Sequence, residues 1–220
     1  MEIYFIMGRL SLSIHKRKYK RYKDYISHQS DKLTDWIGNR KRFNPTSFTR
    51  NVRSFKKRIS KFIEFVHGPN VLCLGARLGE EVVAFRKMGF PDTMGIDLNP
   101  GEDNPYVIKG DFHNMRFEDS SFNSVYTNCI DHAWDLKMLS AEVSRVLVPH
   151  GVFILEIGHL VDKNKKERMD LIRVWAKYES LMYDKSNDIV NNLPEFVAKI
   201  KVGESYGRIV LILDNIKGKS

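Results

Sequence analysis

The residues of this chain best suited to do chemistry are histidines and aspartates that follow short apolar runs. His132 stands beside Asp131 in "NCIDHAW", and His159 closes "EIGH". An imidazole with an ordinary pKa of about 6.5 can take a proton from a hydroxyl group at neutral pH. Either histidine is therefore a candidate general base, with Asp131 as the carboxylate neighbour of the first. The plainer reading of the same stretch has Asp131 capping the next helix and His132 packed beside it. Two further carboxylates stand at strand ends: Asp97 closes "MGID", and Asp111 opens "DFHNM". A carboxylate there can accept hydrogen bonds from a pair of hydroxyls or from an amino group, and Phe112 offers a flat apolar face beside Asp111. The last feature is the turn "GARLG", Gly75 to Gly79, which follows the apolar run Val71–Leu74. It departs from the G-x-G-x-x-G turn of dinucleotide-binding folds, because Arg77 stands where the middle glycine would and the third glycine is absent.

These residues need elements to hold them. Val71–Leu74 reads as a fully buried strand, Gly79–Met88 as a helix, Asp92–Asp97 as a strand, Tyr106–Ile108 as a short strand and Phe122–Asn128 as another. Leu136, Leu139, Val143, Val146 and Leu147 mark an amphipathic helix ended by Pro149 and Gly151, and Val152–Ile157 is a continuous apolar strand. Leu171, Val174, Trp175, Tyr178, Leu181 and Met182 fall at helical spacing. The alternating run Phe196–Val202 and "RIVLILD" are joined by a short turn and so pair antiparallel. Strands alternating with helices predict an α/β fold: a Rossmann-like, mostly parallel seven-stranded sheet with an antiparallel C-terminal hairpin and helices on both faces.

Ahead of this lies a helical, basic segment. Residues 1–66 hold 17 Lys/Arg and 5 Asp/Glu, a balance of 17 − 5 = +12; the other 154 residues hold 36 − 17 = 19 basic and 27 − 5 = 22 acidic residues, a balance of −3. The chain is thus expected to divide into a basic helical N-terminal extension, 1–66, and a catalytic-type domain, 67–220. The extension suits an anionic partner or is a solvated helix surface. Its second stripe, Val52 to Val66, is apolar enough to pack on the sheet, whereas the first helix, beside "HKRKYKRYK", is expected to be looser and dispensable. Cys73 and Cys129, both in strand-like stretches, read as free thiols of a reducing compartment. No run approaches the roughly 18 apolar residues of a membrane span, and the start lacks the marks of a signal peptide. A cytoplasmic protein is expected.

Ligands of open parallel sheets sit beyond the carboxyl ends of the strands, where the topology reverses. An adenine nucleoside without a pyrophosphate needs a ribose acceptor and an adenine site but no tight triple-glycine turn. The order of the glycine turn, the acid Asp97, "GDFHNMRFEDSSFNSVY", "DH" and "SRVLVPHGVFIL" resembles the class I S-adenosylmethionine-dependent methyltransferases, and within them the methyltransferase type 11 group. The resemblance spans about Asn70–Gly158. It implies S-adenosyl-L-methionine as the cofactor, with Gly75, Ala76, Arg77 and Gly79 along its methionine moiety, Asp97 and Leu98 at the ribose, Asp111 and Phe112 at the adenine, and Asn128 presenting its backbone near the sulfonium. Cys73 stands where the family usually has an acid, and Arg77 where it has a glycine.

The expected function is methyl transfer to a small-molecule or glycan acceptor, a sugar or other small polar hydroxyl being the first choice, with His132, Asp131 and His159 as catalytic candidates. No spacing marks a metal site. Two other classes remain: a non-catalytic binding module for nucleic acid or protein on the same fold, and an NAD-dependent oxidoreductase, which Arg77 and "GDF" disfavour.

Overall fold

The structure is a computed structural model that describes residues 14–38, 45–158, 180–183, 186–205 and 208–216. In chain order the elements are β1 (Ile14–Lys16), α1 (Tyr22–Gly38), α2 (Pro45–Ile59), β2 (Val71–Leu74), α3 (Glu80–Arg86), β3 (Met94–Asp97), β4 (Val107–Lys109), β5 (Phe122–Thr127), α4 (Leu136–Val146), β6 (Leu147–Gly158), β7 (Leu181–Tyr183), α5 (Ser186–Val190), β8 (Phe196–Ser205) and β9 (Arg208–Asn215). Seven strands form one sheet in the order β4-β3-β2-β5-β6-β9-β8. The first five run parallel, and β9 joins β6 and β8 antiparallel.

Side-chain alternation divides the core into two layers. Leu72 and Leu74 of β2 face one side, with Val125, Phe153, Leu155 and the α4 residues Leu136, Leu139 and Val143. Val71 and Cys73 face the other, with Val82 and Phe85 of α3, Tyr126, Ile154, and Val52 and Ile59 of α2. Both faces of the central strands are covered, which is why β2 reads as an unbroken apolar run. Helix α2 starts at Pro45, a first-turn position where the missing N–H is no loss. Its outward face carries the exposed Arg50, Arg53 and Lys57, and the exposed Lys61 follows in the turn after it, so part of the N-terminal positive excess faces solvent here.

Several expectations are corrected. The apolar stripe from Val52 to Val66 is not one helix: α2 stops at Ile59, and after a turn a short 3-10 segment runs over Ile63–Phe65, which lets Phe62 and Val66 turn into the core. Leu181 and Met182 belong to strand β7, not to a helix. Residues 181–183 pair with β1, and Leu181 is buried in the main core; pairing with a distant segment overrides local spacing. Residues 171–179 of that expected helix lie outside the described residues. Leu147 begins β6 directly after α4, without a loop. Asp131 does not cap α4. Asp135 does, accepting from the backbone N–H of Lys137 at 2.8 Å and of Met138 at 3.1 Å.

Helix α1 is not a loose appendage. Tyr25 has no exposure, Gln29 donates to the Ser180 hydroxyl at 3.0 Å, and the backbone N–H of Arg17 donates to Ser180 O at 2.8 Å. Deleting it would strip a wall from the sheet domain. Among the described residues no helix is long and apolar enough to cross a membrane.

One buried acid gives the fold a pH dependence. Glu81, in the first turn of α3, is 4% exposed, and burial pushes its carboxyl pKa up to about 8. The folded protein then binds this proton more tightly than the unfolded chain does. The stabilisation is complete below about pH 4.5 and is lost as the pH rises through about 8. Chemical denaturation should show stability falling by up to about 5 kcal/mol across that window, and Glu81→Gln should flatten the slope. An unchanged slope in the variant assigns the dependence to another group.

Candidate active site

The sheet order reverses between β2 and β5, since the chain runs outward through β3 and β4 on one side and through β6 on the other. The loops beyond the carboxyl ends of β2, β3 and β5 meet at that switch point.

The turn after β2 is built largely by its own backbone. Gly75 N–H and Ala76 N–H both donate to Ile96 O, at 2.8 and 3.2 Å, and Gly79 N–H donates to Ala76 O at 2.7 Å. Gly75 adopts φ +64°, and a Cβ there would fall 2.2 Å from Cys129 Sγ; Gly79 adopts φ +90°, and a Cβ there would fall 2.6 Å from Tyr106 Cβ. These glycines therefore serve close protein packing as well as a left-handed backbone. Arg77, also at positive φ, turns its N–H to Asp97 Oδ2 at 3.0 Å. Asn99 N–H donates to Asp97 Oδ1 at 2.8 Å.

Asp97 thus sits half-buried at the end of β3 with one backbone donor on each oxygen. A carboxylate has about four acceptor positions, so each oxygen keeps one for a further donor. That donor set fits the two hydroxyls of a ribose. Ala76 is fully buried beside the turn, while Leu98 and Asn128 are half-buried at the ends of β3 and β5.

Asp111 is more heavily engaged. Its Oδ1 accepts from His113 N–H at 2.9 Å and lies 3.0 Å from His113 Nδ1, and its Oδ2 accepts from the Tyr22 hydroxyl. Burial pushes its pKa up, but the hydrogen bonds from His113 and Tyr22 outweigh burial and hold it below the usual carboxylate range. His113 is buried and acts as a strut. Its Nε2 accepts from the backbone N–H of Trp134 at 3.0 Å and of Asp135 at 3.4 Å, so the ring proton sits on Nδ1, facing Asp111. Phe112 is nearly buried, with its ring 4.6 Å from that of His113.

Asp131 and His132 lie in a 3-10 turn after β5. His132 Nε2 is 3.9 Å from Asp131 Oδ2, and both side chains are partly exposed. The loop is pinned because Ser180 N–H donates to Asp131 O at 2.9 Å. His159 lies outside the described residues.

The structure therefore brings the glycine turn, Asp97, Asp111–Phe112 and Asn128 to one end of the sheet, with Asp131–His132 following β5. It adds residues that sequence reasoning placed elsewhere. Tyr22 and Tyr25, at helical spacing in the first helix of the basic segment, form an aromatic layer with Tyr19, His113 and Trp134 over Asp111, at ring separations of 5.4–6.0 Å. The signal was present as three tyrosines spaced by three, where aliphatic residues would have sufficed for packing.

Comparison with known proteins bears on the fold that carries these loops. Residues 72–155 match the family model described as a methyltransferase domain. A segment of 47 residues, 21% of this chain, is 49% identical to the sterol 24-C-methyltransferase erg6 of Aspergillus fumigatus, and it spans only 12% of that protein. Among solved structures, an S-adenosylmethionine-dependent methyltransferase of Thermotoga maritima superposes with a TM-score of 0.60 at 14% identity, over 88% of this chain and 99% of that one. The geranyl diphosphate C-methyltransferase of Streptomyces coelicolor A3(2), in complex with Mg2+, geranyl-S-thiolodiphosphate and S-adenosyl-L-homocysteine, superposes with a TM-score of 0.57 at 12% identity, over 72% of this chain and 75% of that one. Residues 72–155 thus match a methyltransferase domain, and the sheet that carries the loops at the switch point has the fold of S-adenosylmethionine-dependent methyltransferases.

Proposed function

We propose that the chain methylates a hydroxyl group of a small polar acceptor, a sugar being the first class to test. The observation that supports the cofactor half of this reading is Asp97, whose two oxygens are each oriented by one backbone N–H and each keep an acceptor position. S-adenosylmethionine, when bound, supplies an electrophilic methyl group on a sulfonium. The protein's task is then alignment and proton removal. Asp97 would hold the ribose hydroxyls, Leu98 and Ala76 would supply apolar walls, Phe112 would lie against the adenine, and Asp111 would accept from its amino group. Asn128, at the end of β5, would border the reacting atoms, with Gly75, Arg77 and Gly79 shaping the turn on the other side. His132 would take the acceptor's proton, with the Asp131 carboxylate nearby to favour the protonated ring. The exposed Arg50, Arg53, Lys57 and Lys61 support an anionic partner at the N-terminal extension, without bearing on the reaction.

A calorimetric titration with S-adenosylmethionine, S-adenosylhomocysteine and NAD tests the cofactor. Binding of the first two and not of NAD is expected. Binding of none favours the non-catalytic module. In the same assay Asp97→Ala should weaken S-adenosylhomocysteine binding by roughly 1.5–3 kcal/mol, about 10- to 150-fold. Asp97→Asn should be nearly as harmful, because its amide NH2 must point at the N–H of Arg77 or Asn99. Full affinity in both variants would remove Asp97 from the site.

The aromatic layer favours a second reading, methylation at carbon of an apolar acceptor, as the names of the sterol and geranyl diphosphate relatives describe for those proteins. Aromatic faces stabilise cationic charge. Methyl transfer to an isoprenoid acceptor, with no transfer to sugars, would select it.

A further inference from the structure

We propose that Tyr25 of helix α1 is a cofactor-contacting residue whose phenol O–H donates a hydrogen bond to bound S-adenosylmethionine or its product; this rests on the cofactor reading above. Its ring lies among those of Tyr19, Tyr22, His113 and Trp134, at centroid separations of 5.6, 5.4, 5.6 and 5.6 Å. The residue has no exposure, and its hydroxyl is the only buried side-chain polar atom among the described residues without a hydrogen-bond partner. Buried hydroxyls in native proteins are nearly always paired. If packing were the only role, phenylalanine would fill the same space without an orphaned oxygen.

The neighbours of Tyr25 are already engaged. Tyr22 donates to Asp111. The Tyr19 hydroxyl is within 2.8 Å of His28 Nδ1 and 3.1 Å of Ser180 Oγ. His113 uses both ring nitrogens. The Tyr25 hydroxyl lies within electrostatic reach of the Asp111 carboxylate and the Cys129 thiol. Cys129 follows Asn128, and its sulfur packs on Gly75. The orphan is thus held between the carboxylate assigned to the adenine and the turn assigned to the methionine moiety. Burial and the Asp111 charge raise its pKa, so it stays protonated and acts as a donor. The cofactor offers acceptors, in its carboxylate and its adenine ring nitrogens. Because the oxygen is covered, α1 must shift as the ligand seats.

The test uses the full chain with Tyr25→Phe, which keeps the ring and removes only the oxygen. Calorimetry with S-adenosylhomocysteine should show affinity falling about 3- to 10-fold, while the thermal midpoint of the ligand-free protein stays level or rises. Tyr22→Phe serves as the contrast. It removes a donor from Asp111 and should lower the ligand-free midpoint. Unchanged affinity in Tyr25→Phe overturns the proposal, and so does a ligand-free midpoint that falls as it does in Tyr22→Phe. Absence of S-adenosylhomocysteine binding in the wild-type protein overturns the cofactor reading itself, and this proposal with it, a result distinct from binding that ignores Tyr25.

Discussion

Replacing Arg58 by alanine should destabilise the fold by about 3–5 kcal/mol. Arg58 stands in the last turn of α2, where a cation also suits the helix dipole. Its Nε donates to Glu156 Oε1 at 2.7 Å and its Nη2 to Glu156 Oε2 at 2.6 Å. The Tyr126 hydroxyl donates to the same carboxylate at 2.5 Å, and the guanidinium lies 4.4 Å from the Phe55 ring centroid. Glu156 is 2% exposed in the middle of the sheet. Truncating Arg58 leaves that charge without its bidentate partner, far from water, and removes the contact that fastens α2 to β6. Lysine at the position should recover only part of the loss, because a point charge cannot grip both oxygens. The double variant Arg58→Met, Glu156→Met should recover part of the loss, because it removes the unpaired charge but leaves the buried Tyr126 hydroxyl without its acceptor. Urea denaturation of the four proteins checks this. A loss below about 1 kcal/mol in Arg58→Ala would mark the pair as solvated.

The second large effect is on turnover. His132→Ala should lower kcat about 10²–10⁴-fold, while affinity for S-adenosylhomocysteine changes by less than about twofold. The split is expected because His132 lies on the loop beyond β5, whereas Asp97 and Asp111 are set by β3 and the segment after β4. Asp131→Asn should reduce turnover by less, since at 3.9 Å its carboxylate acts as a nearby charge and not as a close hydrogen-bond partner. Release of S-adenosylhomocysteine in the presence of a hydroxylated acceptor is the measurement. A parallel loss of cofactor affinity would make His132 a structural residue, and full activity would pass the base role to His159.

The parallel sheet and the glycine turn after its first strand were legible in the residues themselves. Val71–Leu74 and Val152–Leu155 are apolar without interruption because helices cover both faces, and that pattern needs no knowledge of partners. Gly75, Gly79, Asp97 and Asp111 could be located because strand ends and positive-φ turns restrict residue type locally. What sequence left open depended on contacts between distant segments. Residues 181–183 have helical spacing but become a strand, because β1, more than 160 positions earlier, supplies the edge they pair with. The N-terminal third looked separable by its charge, yet charge reports only the surface that faces water. The buried side of the same segment holds Tyr25 and Val52, and its Arg58 reaches Glu156 across 98 positions. In the same way, Asp111 looked open and is met by Tyr22 and by His113, a buried strut that the spacing did not single out. A side chain's hydrogen-bonding partners are set by where the chain returns in space, and only the tertiary structure decided that.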